Sequence, residues 1–148
     1  MRFYPPLLFQ RIWVKYFDKD FGGVHVKISK SILNINYNRS IFGGTIYAAA
    51  DPFYAVLFHQ ALARRGYEVI VWQKAAEIDY VKPGLSDLYF SIRLTESDLQ
   101  EACRVLDAGE KFIKSYPIEI TNSEGELCAL VTSVVYVRKV AKLKTEPV

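Results

Sequence analysis

Residues 40–65 read SIFGGTIYAAADPFYAVLFHQALARR, and the way this stretch folds decides the architecture of the chain. Paired glycines, Gly43 and Gly44, open a run that stays apolar or aromatic until Arg64, Arg65 and Gly66. A helix accounts for that ending: cations suit the negative end of a helix dipole, and glycine readily takes the left-handed conformation just past a C-terminus. Because the run is apolar nearly all round, the helix is expected to be enclosed by other elements. It does not span a bilayer, since Gly43, Gly44, Asp51 and Pro52 interrupt it and a central Asp alone disfavours insertion by roughly 2.5–3.5 kcal/mol. Asp51 is the residue to explain. Followed by Pro52, it fits the N-cap of a helix starting there. As a functional carboxylate, its partial desolvation in an apolar stretch would make it a stronger base or nucleophile.

The flanking segments supply the layers around that helix. From Pro5 to Phe17, the apolar residues Phe9, Ile12, Trp13, Tyr16 and Phe17 recur at helical spacing, so an N-terminal helix over about 4–18 is expected. After Gly22 and Gly23 the period becomes two, with Val24, Val26, Ile28 and Ile32 on one face of a strand. An asparagine-rich loop, NINYNRS, leads into the quoted stretch. Beyond Gly66, Ile70, Trp72, Ala76, Ile78 and Tyr80 share one strand face before Pro83 and Gly84 turn the chain. Leu88, Phe90, Ile92 and Leu94 mark another strand, and SDLQEACRVLDAG a short helix with Ser97 and Gln100 spaced as a capping box. Two last strands flank the turn NSEG, the final one apolar on both faces and so central in its sheet, with its outer face against another subunit. Strands following one buried helix give an α+β fold, an antiparallel sheet wrapped around a long central helix.

Composition bounds the partners. The 148 residues suit one domain, 51% of them are hydrophobic, and 19 basic against 16 acidic residues leave a net charge of only +3. No nucleic-acid recognition motif accompanies that mild basicity, and no membrane contact is expected. Cys103 and Cys128 lack the spacing of a zinc site, His25 and His59 lack a metal-spaced partner, and no metal is expected. Reduced thiols, and an apolar N-terminal segment broken by Pro5, Pro6 and Gln10 with no cleavage signal after it, point to the cytoplasm.

A strand, an Asn-bearing loop, a Gly-Gly pair opening a buried helix, an Asp seven residues after the second Gly, and a following strand ending in VKPG together resemble the hotdog-fold acyl-CoA thioesterases, in the phenylacetate-pathway branch. The resemblance covers about residues 20–138 as a hotdog core, followed by a short basic tail over 139–148. Asn36, Gly43, Gly44 and Asp51 stand at the family's motif positions, whereas Arg39 replaces a Gly and Phe42 a His, and the serine of some relatives falls near Gln73. The resemblance implies hydrolysis of an acyl-CoA thioester, with no cofactor beyond the coenzyme A of the substrate. Gly44 N–H would hold the oxyanion, Asp51 would act as general base or nucleophile, and Asn36 would assist. Gly43, Phe42 and Gln73 would contact substrate, and Lys82, Arg138 and Lys139 would meet the phosphates. Gly44 and Asp51 lie about two helical turns apart, so one would meet the other across a homodimer, which pairs further into a homotetramer. Phe42 and Arg39 favour an alternative, a non-catalytic acyl-CoA or acyl-chain binding module on the same fold.

Overall fold

The computed structural model describes residues 4–140, so most of the expected basic tail lies outside the described residues. Six antiparallel strands form one sheet: β1 (Ile12–Phe17), β2 (Gly23–Ile28), β3 (Val69–Tyr80), β4 (Leu88–Arg93), β5 (Phe112–Asn122) and β6 (Leu127–Lys139). Their spatial order is β1-β2-β4-β5-β6-β3, which leaves β1 and β3 as edges. Helices α2 (Gly43–Ala50) and α3 (Pro52–Arg64) form the central rod of a hotdog fold, and α1 (Pro5–Phe9) and α4 (Glu96–Asp107) add to it. Phe53, Leu57, Phe58 and Leu62 of α3 are fully buried, each worth about 1.5–3 kcal/mol of apolar burial. They pack among Val24, Val26, Phe90, Phe112 and Tyr116 on the inner face of the sheet. Gly66 closes α3 at φ +84°, a conformation that costs glycine nothing.

Several expectations are corrected. The N-terminal helix stops at Phe9 rather than running to residue 18, because Arg11 turns the chain at φ +61° and residues 12–17 pair with β2. Ile12, Trp13, Val14, Tyr16 and Phe17 are β-branched or aromatic, and the ladder they gain overrides their helical spacing. Strand β2 ends at Ile28, leaving Ile32 89% exposed. In β3 a bulge between Gln73 and Ala75 switches faces, so Val69, Val71, Gln73, Ala76 and Ile78 are the more shielded residues while Trp72 faces out. The cap of α4 is Thr95 with Asp98 rather than Ser97 with Gln100: the Thr95 side chain accepts from Asp98 N–H, and the Asp98 carboxylate accepts from Thr95 N–H. His59, on α3, is exposed.

Candidate functional site

The peptide groups entering α2 are held by the loop before it. Phe42 N–H donates to Asn34 O (2.7 Å) and Ile41 N–H to Gly84 O (2.9 Å), which ties the helix start to the turn after β3. Asn34 is buried, donating Nδ2 to Gln10 O and Ser29 O while its Oδ1 accepts from Ser31 N–H. Asn36 folds the loop itself: its Oδ1 accepts from Asn38 N–H, Ser40 N–H and Ser40 Oγ, and its Nδ2 has no partner among the described residues. Arg39 takes φ +57°, a strained setting for a side-chain-bearing residue and one where glycine would be at ease.

Thr45 and Ile46 donate back to Phe42 O, so the N–H groups without an acceptor among the described residues at the start of α2 are those of Gly43 and Gly44. They border a cavity of about 460 Å³ lined also by Asn36, Phe42, Tyr80 and Lys82. Two aromatic side chains crowd this entrance. A Cβ on Gly44 would stand 2.3 Å from the Phe42 ring, and one on Gly43 2.9 Å from Tyr80, so glycine is needed at both for these rings to lie where they do. Tyr80 OH donates to Gly43 O (2.8 Å) and fixes the first turn. Burial, with Tyr47 beside it, pushes the Tyr80 hydroxyl up from its ordinary pKa, keeping it a neutral donor.

Asp51 lies at the joint of α2 and α3. Its backbone is helical (φ −64°, ψ −53°) and its side chain makes no capping bond, which sets aside the N-cap reading. Nor is it desolvated within the chain: Asp51 is exposed. Gly44, Tyr47 and Asp51 fall at i, i+3 and i+7, one face of the helix, and all three are exposed while Ile46, Ala49 and Ala50 are buried. The remaining residues of α2 are buried or half-buried. Gln73 on edge strand β3 donates Nε2 to Asp51 Oδ1 (2.9 Å), and its own Oε1 accepts from the fully buried Ser133 Oγ (2.7 Å). Composition gave no sign of Ser133 or Tyr80 as site residues; both emerge from register, Ser133 through the bulge in β3.

Gly44 and Asp51 are seven residues apart, roughly 10 Å along a helix, and Asp51 and Gln73 do not line the cavity beside Gly44. One chain therefore holds the two halves of the expected site apart. The cations are separated too. Lys82 lines the cavity, paired with Glu126 Oε1 (2.7 Å), and its N–H meets Cys128 O at the far end of β6 from Arg138. Ten residues of β6, roughly 33 Å, divide Lys82 from Arg138. Lys139, next to Arg138, pairs with Asp107 Oδ1 (3.1 Å). Among the described residues no group of His, Cys, Asp and Glu is placed to hold a metal, and no helix is long and apolar enough to cross a membrane.

A family profile described as "Domain of unknown function (DUF4442)" matches residues 2–137. The chain belongs to that family. A comparison with curated proteins found no significant match. Solved structures share the fold at low identity. A thioesterase from Haemophilus influenzae is 14% identical over 94% of this chain and 86% of its own, with a TM-score of 0.68. The PaaI protein of the E. coli phenylacetic acid degradation operon is 16% identical over 92% of this chain and 84% of its own, with a TM-score of 0.61. A protein of unknown function from Chlorobaculum tepidum is 16% identical over 93% and 88%, with a TM-score of 0.78. The hotdog architecture is thus common to this chain and to thioesterases.

Proposed function

We propose that the protein is a cytoplasmic acyl-CoA thioesterase whose active site is completed by a homodimer. The observation that carries the reading is the pair of unpartnered N–H groups at the start of α2, opening on a cavity of about 460 Å³. Oriented amides at the positive end of a helix stabilise an oxyanion as it forms, and they need no reorganisation to do so. In the proposed reaction Asp51 takes a proton from water, the hydroxide attacks the thioester carbonyl carbon, and the oxyanion accepts from Gly44 N–H. Collapse breaks the C–S bond, and the departing coenzyme A thiolate takes up the proton. Direct attack by Asp51 gives the same products through a mixed anhydride. Asn36 Nδ2 is free to contact the carbonyl, and Lys82 stands at the cavity mouth for a phosphate. Arg138 and Lys139 serve that purpose only if a neighbouring copy brings them near.

The exposed stripe Gly44–Tyr47–Asp51 lies on the side of edge strand β3, where a second copy would bring its own Asp51 toward this chain's Gly44. Exposed Val81, in the lining of the cavity beside Gly44, and exposed Tyr37, which shares a cleft with Phe42, give a partner apolar surface to cover. On the outer face of the sheet, Trp72 stacks on Tyr136 (centroids 4.4 Å) next to exposed Ile113, a second apolar surface on which dimers would pair into tetramers. The binding-module reading draws on Phe42, whose ring lies over Gly44. Free-thiol release from acyl-CoAs of varied chain length separates the two readings. The thioesterase reading expects turnover in the parent and at least about a hundredfold less in Asp51→Asn, which can still accept the Gln73 bond. Tight acyl-CoA binding without thiol release establishes the binding module instead. Light scattering that finds only the 17.0 kDa monomer at micromolar concentration removes the shared site.

A further inference from the structure

On the outer face of the sheet, away from α2 and α3, three side chains from separate segments meet in a line. Ser91 Oγ of β4 lies 2.7 Å from His25 Nδ1 of β2, and His25 Nε2 lies 3.1 Å from Asp18 Oδ1 in the loop after β1. The carboxylate can only accept, so it fixes the proton on Nε2 and leaves the Nδ1 lone pair to receive the Ser91 hydroxyl proton. Tyr16 stacks on the imidazole (centroids 4.1 Å), and the Arg93 guanidinium stands 3.7 Å from Asp18 Oδ2. His25 and Asp18 are each about a quarter exposed, whereas Ser91 is open to solvent.

Beside Ser91 the sheet comes apart. Strands β4 and β5 pair only at Leu88 with Asn122 and Tyr89 with Thr121, then diverge around a cleft of about 450 Å³ lined by Tyr89, Phe90, Ser91, Pro117, Glu119 and Thr121. Leu94 N–H donates across to Gly22 O on the β2 side, while Tyr89 O accepts from Thr121 Oγ on the β5 side. By alternation along a strand, the N–H groups of Ser91 and Arg93 face the cleft, where β5 offers them no ladder partner. A hydroxyl with a base, a base with an orienting carboxylate, and free amides beside the hydroxyl are the parts of a nucleophilic site.

We propose that Ser91, His25 and Asp18 form a second, acyl-accepting centre that hydrolyses small uncharged esters. Ser91 Oγ attacks the ester carbonyl carbon as His25 Nδ1 takes its proton, and the carbonyl electron pair moves to oxygen, toward the Ser91 and Arg93 amides. Collapse breaks the C–O bond and the alkoxide leaves with the proton from His25. Water then cleaves acyl-Ser91 by the same route, releasing the acid and restoring the serine. The Glu119 carboxylate across the cleft repels anions, so this centre disfavours the phosphate-bearing thioesters proposed for the first site and favours release of the acid product. Asp18 touches no substrate and is a positioning residue.

The test treats the folded parent protein with a neutral alkyl fluorophosphonate, in which Ser91 Oγ displaces fluoride from phosphorus, and locates the adduct by peptide mass mapping. One adduct on Ser91 is expected, absent from urea-unfolded protein, with the rate lowered at least about a hundredfold in His25→Gln. Turnover of p-nitrophenyl acetate beyond one equivalent should fall in step in Ser91→Ala, with melting temperature unchanged. Asp18→Asn should change the imidazole ¹⁵N shifts of His25 from those of a single Nε2-protonated tautomer to an average of both. No adduct on Ser91 of the folded parent, or labelling of His25→Gln at the parental rate, overturns the proposal.

Discussion

Replacing Ser133 by Ala tests whether the buried end of the Ser133–Gln73–Asp51 chain governs its exposed end. Ser133 is fully buried, and its hydroxyl bonds to Gln73 Oε1 at 2.7 Å. That bond decides which end of the Gln73 amide faces Asp51: with Oε1 engaged, Nε2 is the group left to donate to the carboxylate at 2.9 Å. Removing the hydroxyl loses a hydrogen bond of about 0.5–1.5 kcal/mol net and leaves a partly shielded oxygen unpaired, so a total of about 1–2 kcal/mol is expected. In a domain of this size that lowers the melting temperature by about 2–6 °C, measurable by calorimetry. The amide is then free to turn, and in half of its orientations it presents oxygen to a carboxylate. If Asp51 acts on the thioester, kcat for thiol release should drop about tenfold, equivalent to about 1.4 kcal/mol, with KM nearly unchanged. Gln73→Ala should cost about as much, and the double variant no more than either single one, since both remove the same constraint. Additive losses in the double variant, or an unchanged kcat beside a lowered melting temperature, would refute the relay and leave Ser133 a packing residue.

Other expected outcomes follow from single contacts. Arg39→Gly relieves a left-handed residue and should raise stability by up to about 1 kcal/mol by denaturant titration, without altering the loop bonds to Asn36 Oδ1. Phe42→Ala uncovers Gly44, so kcat/KM for acyl-CoA should rise severalfold; a fall would mean that the ring contacts substrate rather than covering the amide. Burial raises the Asp98 carboxyl, but bonds from Thr95, Lys114 and Tyr116 outweigh it and hold it below the ordinary 3.8. A depressed folded value gives stability that is present above the unfolded value and lost as pH falls through the folded one. Acid titration below about pH 4 should therefore destabilise the parent more than Asp98→Asn, which begins about 1–3 kcal/mol weaker at neutral pH.

The hotdog architecture was legible because its strongest signals are local and agree with one another. Gly66, Gly109 and Gly125 all take the positive φ that their places after a helix or in a turn suggest, and the period of two in β4 matches the buried face found. The failures came where a partner strand chose the conformation. Residues 12–17 carry helical spacing, yet the chain becomes β1 because the open edge of β2 supplies hydrogen bonds that no spacing count includes. The bulge after Gln73 is likewise set by pairing with β6, so a strict alternation along β3 assigns Trp72 to the same face as Ala76 when the two faces have already exchanged.

Asp51 shows the same division within a single residue. A charged side chain in an apolar run is visible in any sequence, and it singles out one position on the helix. Its burial was inferred from neighbours that count as apolar, but Gly44 and Tyr47 are apolar only by composition; in the fold they share with Asp51 a stripe that this chain leaves uncovered. Hydrophobic averaging over a window cannot separate such a stripe from the buried faces beside it, because glycine contributes little and tyrosine serves on either side. What distinguishes the stripe is the combination of free Gly44 N–H, absence of any capping bond at Asp51 and a glutamine from an edge strand as the one side chain hydrogen-bonded to that carboxylate among the described residues. A carboxylate held this way is oriented but still exposed to solvent. In the proposed dimer, desolvation of Asp51 comes from the copy that covers the stripe; on that proposal, thiol-release activity per chain should fall on dilution over the same concentration range in which light scattering finds the particle mass falling to that of the monomer, and activity that stays constant across that range would refute it.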